Sequence, residues 1–111
     1  MLKFDKEGKE LTLAEWGKLF EDREYKIIIQ TDLPNGYWVS TVWLGLCHGY
    51  DIVSPVGERC KEPLIFETMV FGGKDEKNGK YDATDLDCIR TTTENQARID
   101  HEETVQKWSK K

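Results

Sequence analysis

Leu13, Trp16, Leu19 and Phe20 recur in "LTLAEWGKLFEDREY" at the three- and four-residue spacing of one helix face. Thr12 precedes the run and Glu15 follows three residues later, so hydroxyl and carboxylate can each satisfy a free backbone amide at a helix start. The pattern predicts an amphipathic helix from about Leu13 to Asp22. Ahead of it, "LKFDKEGKEL" reads as a short extended arm turning at Gly8.

The period then shortens from about 3.6 residues to about 2. In "YKIIIQTDLPNGYWVSTVWLGL" the β-branched Ile27, Ile28 and Ile29 lead to Pro34, which fixes φ, and to Asn35 and Gly36, which tolerate positive φ. That is a β-hairpin. "LIFETMVF" predicts a third strand and "LDCIRTT" a fourth. Thr93 and Gln96 repeat the capping-box spacing, and Ala97, His101, Val105 and Trp108 form a stripe, predicting a C-terminal helix of about four turns. Residues 47 to 62 read as a long loop containing Gly49, Pro55 and Gly57, a length more often functional than idle in a compact domain. Lys74 to Lys80 reads as a mobile, turn-rich stretch. The order of elements predicts one α+β domain over residues 1–111, an antiparallel sheet of about four strands with two helices packed on one face.

Composition narrows the function classes. With 38% hydrophobic residues, and four each of Trp, Tyr and Phe, the chain carries enough apolar bulk to fold despite its 33% charged fraction. No apolar run approaches the roughly 20 residues that span a bilayer, and "MLKFDKEGKE" lacks the basic start and apolar stretch of a signal peptide, so a cytoplasmic protein with no membrane partner is expected. A net charge of -5 opposes nonspecific nucleic-acid binding and favours a basic protein surface or a small molecule as partner. Cys47, Cys60 and Cys88 are an odd set without C-x-x-C spacing, which argues for reduced thiols rather than a disulfide framework or zinc ribbon. "FGGK" lacks the setting of a phosphate-binding loop, and Asp82, Asp85 and Asp87 match no calcium loop. No cofactor and no metal are expected.

A few residues stand out of place. Alternation along "LIFETMVF" puts Leu64, Phe66, Thr68 and Val70 on one face and Ile65, Glu67, Met69 and Phe71 on the other. Lone glutamates are rarely buried, so the commoner reading exposes Glu67 to solvent or an interface. If enclosed, it must be neutralised or meet a donor, with His48, His101, a Trp indole, Ser40 and Thr41 as candidates. His101 lies on the apolar stripe of the last helix, where a core histidine bonded to Glu67 or a backbone carbonyl is the simpler reading than a ligand or base. His48 stands where a strand gives way to the long loop, the kind of position that presents binding residues. Cys60, between Arg59 and Lys61, is the thiol with the most lowered pKa expected from its sequence neighbours. The rings of Tyr37, Trp38, Trp43, Tyr50 and Phe71 exceed what a thin two-layer domain readily buries, leaving some for a subunit seam or a partner patch.

The blocks "TDLPNGYWVSTVWLGLCHGYD", "PLIFETMVFGG" and "ARIDHEETVQKW" resemble a family of small phage- and prophage-encoded hypothetical proteins, over about residues 12 to 108. This chain has Cys47 where the family more often has aspartate, and Thr91 after Arg90 where the family has tyrosine. The resemblance implies a short accessory protein acting on host machinery by binding. The leading expectation is therefore stoichiometric binding of a host defence protein or host small-molecule signal, through Trp43, His48, Tyr50 and Glu67. Two alternatives stay open: a small hydrolase using Glu67 with His48 or His101, and a structural phage component with a self-complementary, homo-oligomeric face.

Overall fold

In the computed structural model, which describes residues 2–46, 63–72, 74–75, 80–81 and 85–110, the chain opens with a small hairpin of β1 (Lys3–Phe4) and β2 (Glu10–Leu11). The expected helix follows as α1 (Leu13–Glu21), and Thr12 and Glu15 close its capping box: Glu15 N–H donates to Thr12 Oγ1 at 3.2 Å and Thr12 N–H to Glu15 Oε1 at 2.9 Å. Thr12 holds the Glu15 carboxyl below its usual pKa. Asp22 then caps a single further turn, α2 (Arg23–Lys26), which the sequence pattern does not predict: it ends the helix near Asp22 and places Tyr25 and Lys26 at the start of the strand hairpin.

The hairpin of β3 (Ile27–Asp32) and β4 (Trp38–Trp43) turns through Leu33 to Tyr37. Gly36 takes the positive φ there, 94°, while Asn35 does not; its side-chain oxygen instead accepts from Tyr37 N–H at 3.3 Å. β5 (Phe66–Phe71) starts two residues later than expected. Ile65 is thereby freed from the sheet's alternation and packs fully buried in the core, while its carbonyl accepts from Leu44 N–H and Gly45 N–H. In the stretch expected to be mobile, β6 (Lys74–Asp75) pairs with β7 (Lys80–Tyr81); residues 76–79 lie outside the described ones. β8 (Asp85–Thr91) and α3 (Glu94–Ser109) complete the chain. Thr93 accepts from Gln96 N–H, but the Gln96 amide turns forward to Asp100 Oδ1 at 2.9 Å, so only half of the second capping box forms.

The main sheet has the order β3-β4-β5-β8, antiparallel throughout, and the fold is α+β. Among the described residues the buried apolar clusters lie on one side of the sheet. Trp43, Phe66, Phe4, Ile65 and Ala97 form one buried cluster, against which Trp16, Leu19 and Phe20 of α1 and Tyr25 of α2 pack. Leu33, Val39 and Val70 form a second, beneath Val105 and Trp108 of α3. All three helices therefore contribute to the same sheet face. The far end of α3 is fastened by Asp87, whose Oδ2 accepts from Trp108 Nε1 at 3.1 Å and from Lys107 Nζ at 3.0 Å, and by Asn35 Nδ2, which donates to Trp108 O at 2.7 Å. The Trp108 bond first, then Lys107, lowers the Asp87 pKa. No helix of the described residues is long and apolar enough to cross a membrane.

Candidate functional site

Strand register fixes which side chains share a face. Thr41 pairs with Thr68 and the two hydroxyls meet at 2.7 Å, so Val39, Thr41 and Trp43 of β4 and Phe66, Thr68 and Val70 of β5 point toward α3. The intervening residues point the other way: Trp38, Ser40 and Val42 on β4, and Glu67, Met69 and Phe71 on β5. Edge strands add Gln30 and Asp32 from β3, and Cys88 and Arg90 from β8. On the two central strands this face carries Trp38 stacked on Phe71 at one end (centroids 4.4 Å), half-buried Val42 and Met69, and two buried polar groups, Ser40 and Glu67. Its margins, Gln30, Asp32, Cys88 and Arg90, are polar and exposed.

Glu67 lies in this face and is buried, 8% exposed, against the commoner expectation for a lone glutamate. Among the described residues its donor is none of those the sequence suggested. Register places Glu67 opposite Arg90, whose Nε donates to Glu67 Oε2 at 2.9 Å. The Arg90 side chain remains 40% exposed, so the carboxylate is partnered without the pair being sealed from water. Replacing Glu67 by Gln keeps an acceptor for Arg90 and should cost about 1 kcal/mol, whereas Arg90→Ala strands an ionised carboxylate and should cost about 2 kcal/mol, read as urea midpoints at neutral pH.

His101 is the second buried polar group, 1% exposed, and lies across the sheet from Glu67. Thr31 Oγ1 and His101 Nε2 are 2.8 Å apart, as are Thr41 Oγ1 and His101 Nδ1, and Thr41 bonds on to Thr68. Three strands thus meet one helix through a chain of hydroxyls and an imidazole. Burial lowers the His101 pKa, and the nearby charge of Glu102 only partly offsets it. The expectation of a core histidine agrees with this burial, but its partners are threonine hydroxyls rather than Glu67 or a carbonyl. Glu67 and His101 are therefore not brought together, and the acid–imidazole pair of the hydrolase alternative does not form between them.

Trp43, expected as a binding residue, is fully buried on the α3 side, donates from Nε1 to Phe4 O at 3.1 Å and takes Tyr25 edge-on at 4.8 Å. It offers no surface to a partner. His48, Tyr50, Cys47 and Cys60 lie outside the described residues. The residue the sequence reading missed is Arg90. Its signal was a cation inside an otherwise strand-like run, but only the β5–β8 register shows that it faces Glu67. Among the described residues no group of three or more His, Cys, Asp or Glu is placed to hold a metal ion. No protein-family model, curated protein or solved structure matches this chain, so the resemblance to phage proteins rests on the three sequence blocks alone.

Proposed function

We propose that this chain acts in the cytoplasm by stoichiometric binding of a protein partner, through the sheet face that carries Trp38, Val42, Met69, Phe71 and the Glu67–Arg90 pair. The observation that carries this reading is the composition of that face: Trp38, Val42, Met69 and Phe71 on the two central strands, interrupted by the buried polar groups Ser40 and Glu67, and polar or charged residues on the two edge strands. Apolar and aromatic groups bordered by polar ones are the anatomy of a protein interface, and Arg90, exposed at the margin and already aligned by Glu67, is a residue type enriched at interfaces. In the phage setting that the sequence blocks suggest, the partner is a host protein.

Val42→Glu and Met69→Glu place a charge among the apolar groups of this face, and Glu103→Lys alters the exposed surface of α3 as a control. Tagged wild-type protein and Glu103→Lys should retain one partner in equimolar amount from host-cell extract, and both face variants should lose it while melting within a few degrees of wild type. Retention of the same partner by the face variants, or recovery of the chain bound only to itself, would refute the reading.

A further inference from the structure

The His101 network can carry a proton but cannot neutralise it. A neutral imidazole donates from one nitrogen and accepts at the other, while an imidazolium donates from both. Thr31 and Thr41 can accept from both nitrogens, with Thr41 passing its own hydrogen to Thr68, so protonation breaks no hydrogen bond in principle. Compensation for the charge is what the described surroundings lack. On the α3 side of the sheet β3 presents Ile29 and Thr31, β4 presents Val39, Thr41 and Trp43, and β5 presents Phe66, Thr68 and Val70, none of them ionisable. β8 presents Asp87, Ile89 and Thr91, and the Asp87 carboxylate is taken by Lys107 and Trp108, two turns along α3 from His101. On α3 itself Asp100 is bonded to Gln96, and Glu102, the exposed neighbour, acts from outside the contact.

We propose that His101 makes the docking of α3 on the sheet proton-sensitive, because an uncompensated positive charge delivered to the Thr31–Thr41–Thr68 hydroxyl network favours release of the helix from β3, β4 and β5. The sign follows from linkage. Docking favours the neutral ring, so its contribution is complete well above pH 6.5. Below about pH 6.5 the ring freed by undocking takes up a proton that the docked ring refuses, and the undocked population rises about tenfold per pH unit until the docked ring protonates too.

The test is amide hydrogen exchange along α3 by NMR, with protection factors corrected for intrinsic rates, between pH 7.5 and 5.5. Wild-type α3 should lose protection by up to about tenfold over that range. His101→Gln retains a donor and an acceptor without titrating, and its α3 protection should stay level. Equal pH dependence in the two proteins, or level protection in the wild type, would overturn the proposal. The carbon shifts of the His101 ring give a reading that needs no variant: a midpoint well below 6.5 supports the proposal, and a midpoint at or above 6.5 overturns it.

Discussion

Placing a methyl group on Gly45 is expected to cost about 3 kcal/mol of folding stability, combining the penalty of a left-handed backbone for an L-residue with that of overpacking. Gly45 has φ +70°, and a Cβ there would stand 2.7 Å from the Phe4 carbonyl oxygen and 2.8 Å from Cε2 of Trp43. Neither neighbour is free to move. Phe4 N–H donates to Gly45 O at 2.8 Å, while Phe4 O accepts from the Trp43 indole, so the hairpin of β1 and β2 is stitched to the end of β4 by these bonds. The adjacent Leu44 carbonyl accepts from Trp16 Nε1 at 2.9 Å, and Leu44 and Gly45 N–H both donate to Ile65 O. Four parts of the chain therefore cross at residues 43 to 45.

Trp43→Ala should be as severe, about 4 kcal/mol, because a fully buried indole is lost together with its hydrogen bond. Steric and backbone contributions at Gly45 separate in a cycle. Trp43→Phe removes the indole atoms that crowd the new methyl but leaves φ unchanged, so Gly45→Ala should cost about 1 kcal/mol less in that background. Urea unfolding of the four proteins measures it, and equal costs in the two backgrounds would assign the effect to backbone strain and the Phe4 carbonyl rather than to the indole.

Elements whose signal is local were legible in the sequence. The helix face of Trp16, Leu19 and Phe20, the Thr12–Glu15 box and the turn at Gly36 depend only on near neighbours, and each formed, although Leu13, expected on the same stripe, is 68% exposed. Contacts set by register were not legible. "WVSTVW" alternates so that either Trp38, Ser40 and Val42 or Val39, Thr41 and Trp43 can face the core, and tertiary packing chose the second set. That choice removed Trp43 from any surface role. It also turned Thr41 toward His101, leaving Glu67 on the other face with Arg90, 23 residues away in sequence. A composition reading finds the lone acid and the lone imidazole on apolar patterns and is drawn to pair them; the sheet between them is the reason they do not pair.

His101→Ala is expected to destabilise the protein by about 4 kcal/mol, through the cavity left by a buried ring and through the hydroxyls of Thr31 and Thr41 that lose a partner. The share belonging to the network is separable. Thr41→Val preserves shape while removing the hydroxyl that joins His101 to Thr68, and alone should cost about 2 kcal/mol, since it leaves one ring nitrogen and the Thr68 hydroxyl short of a bond. Once His101 is absent, that same change removes a hydroxyl already deprived of the ring. The double variant should therefore be more stable than the sum of the singles by about 1 kcal/mol. Strict additivity would mean that the ring contributes volume alone. A positive coupling would instead explain why a core that could have been filled by leucine and valine carries three threonines around one histidine: each polar group is tolerable only because the others are present, and together they fix the position of α3 over β3, β4 and β5 more narrowly than apolar contact would.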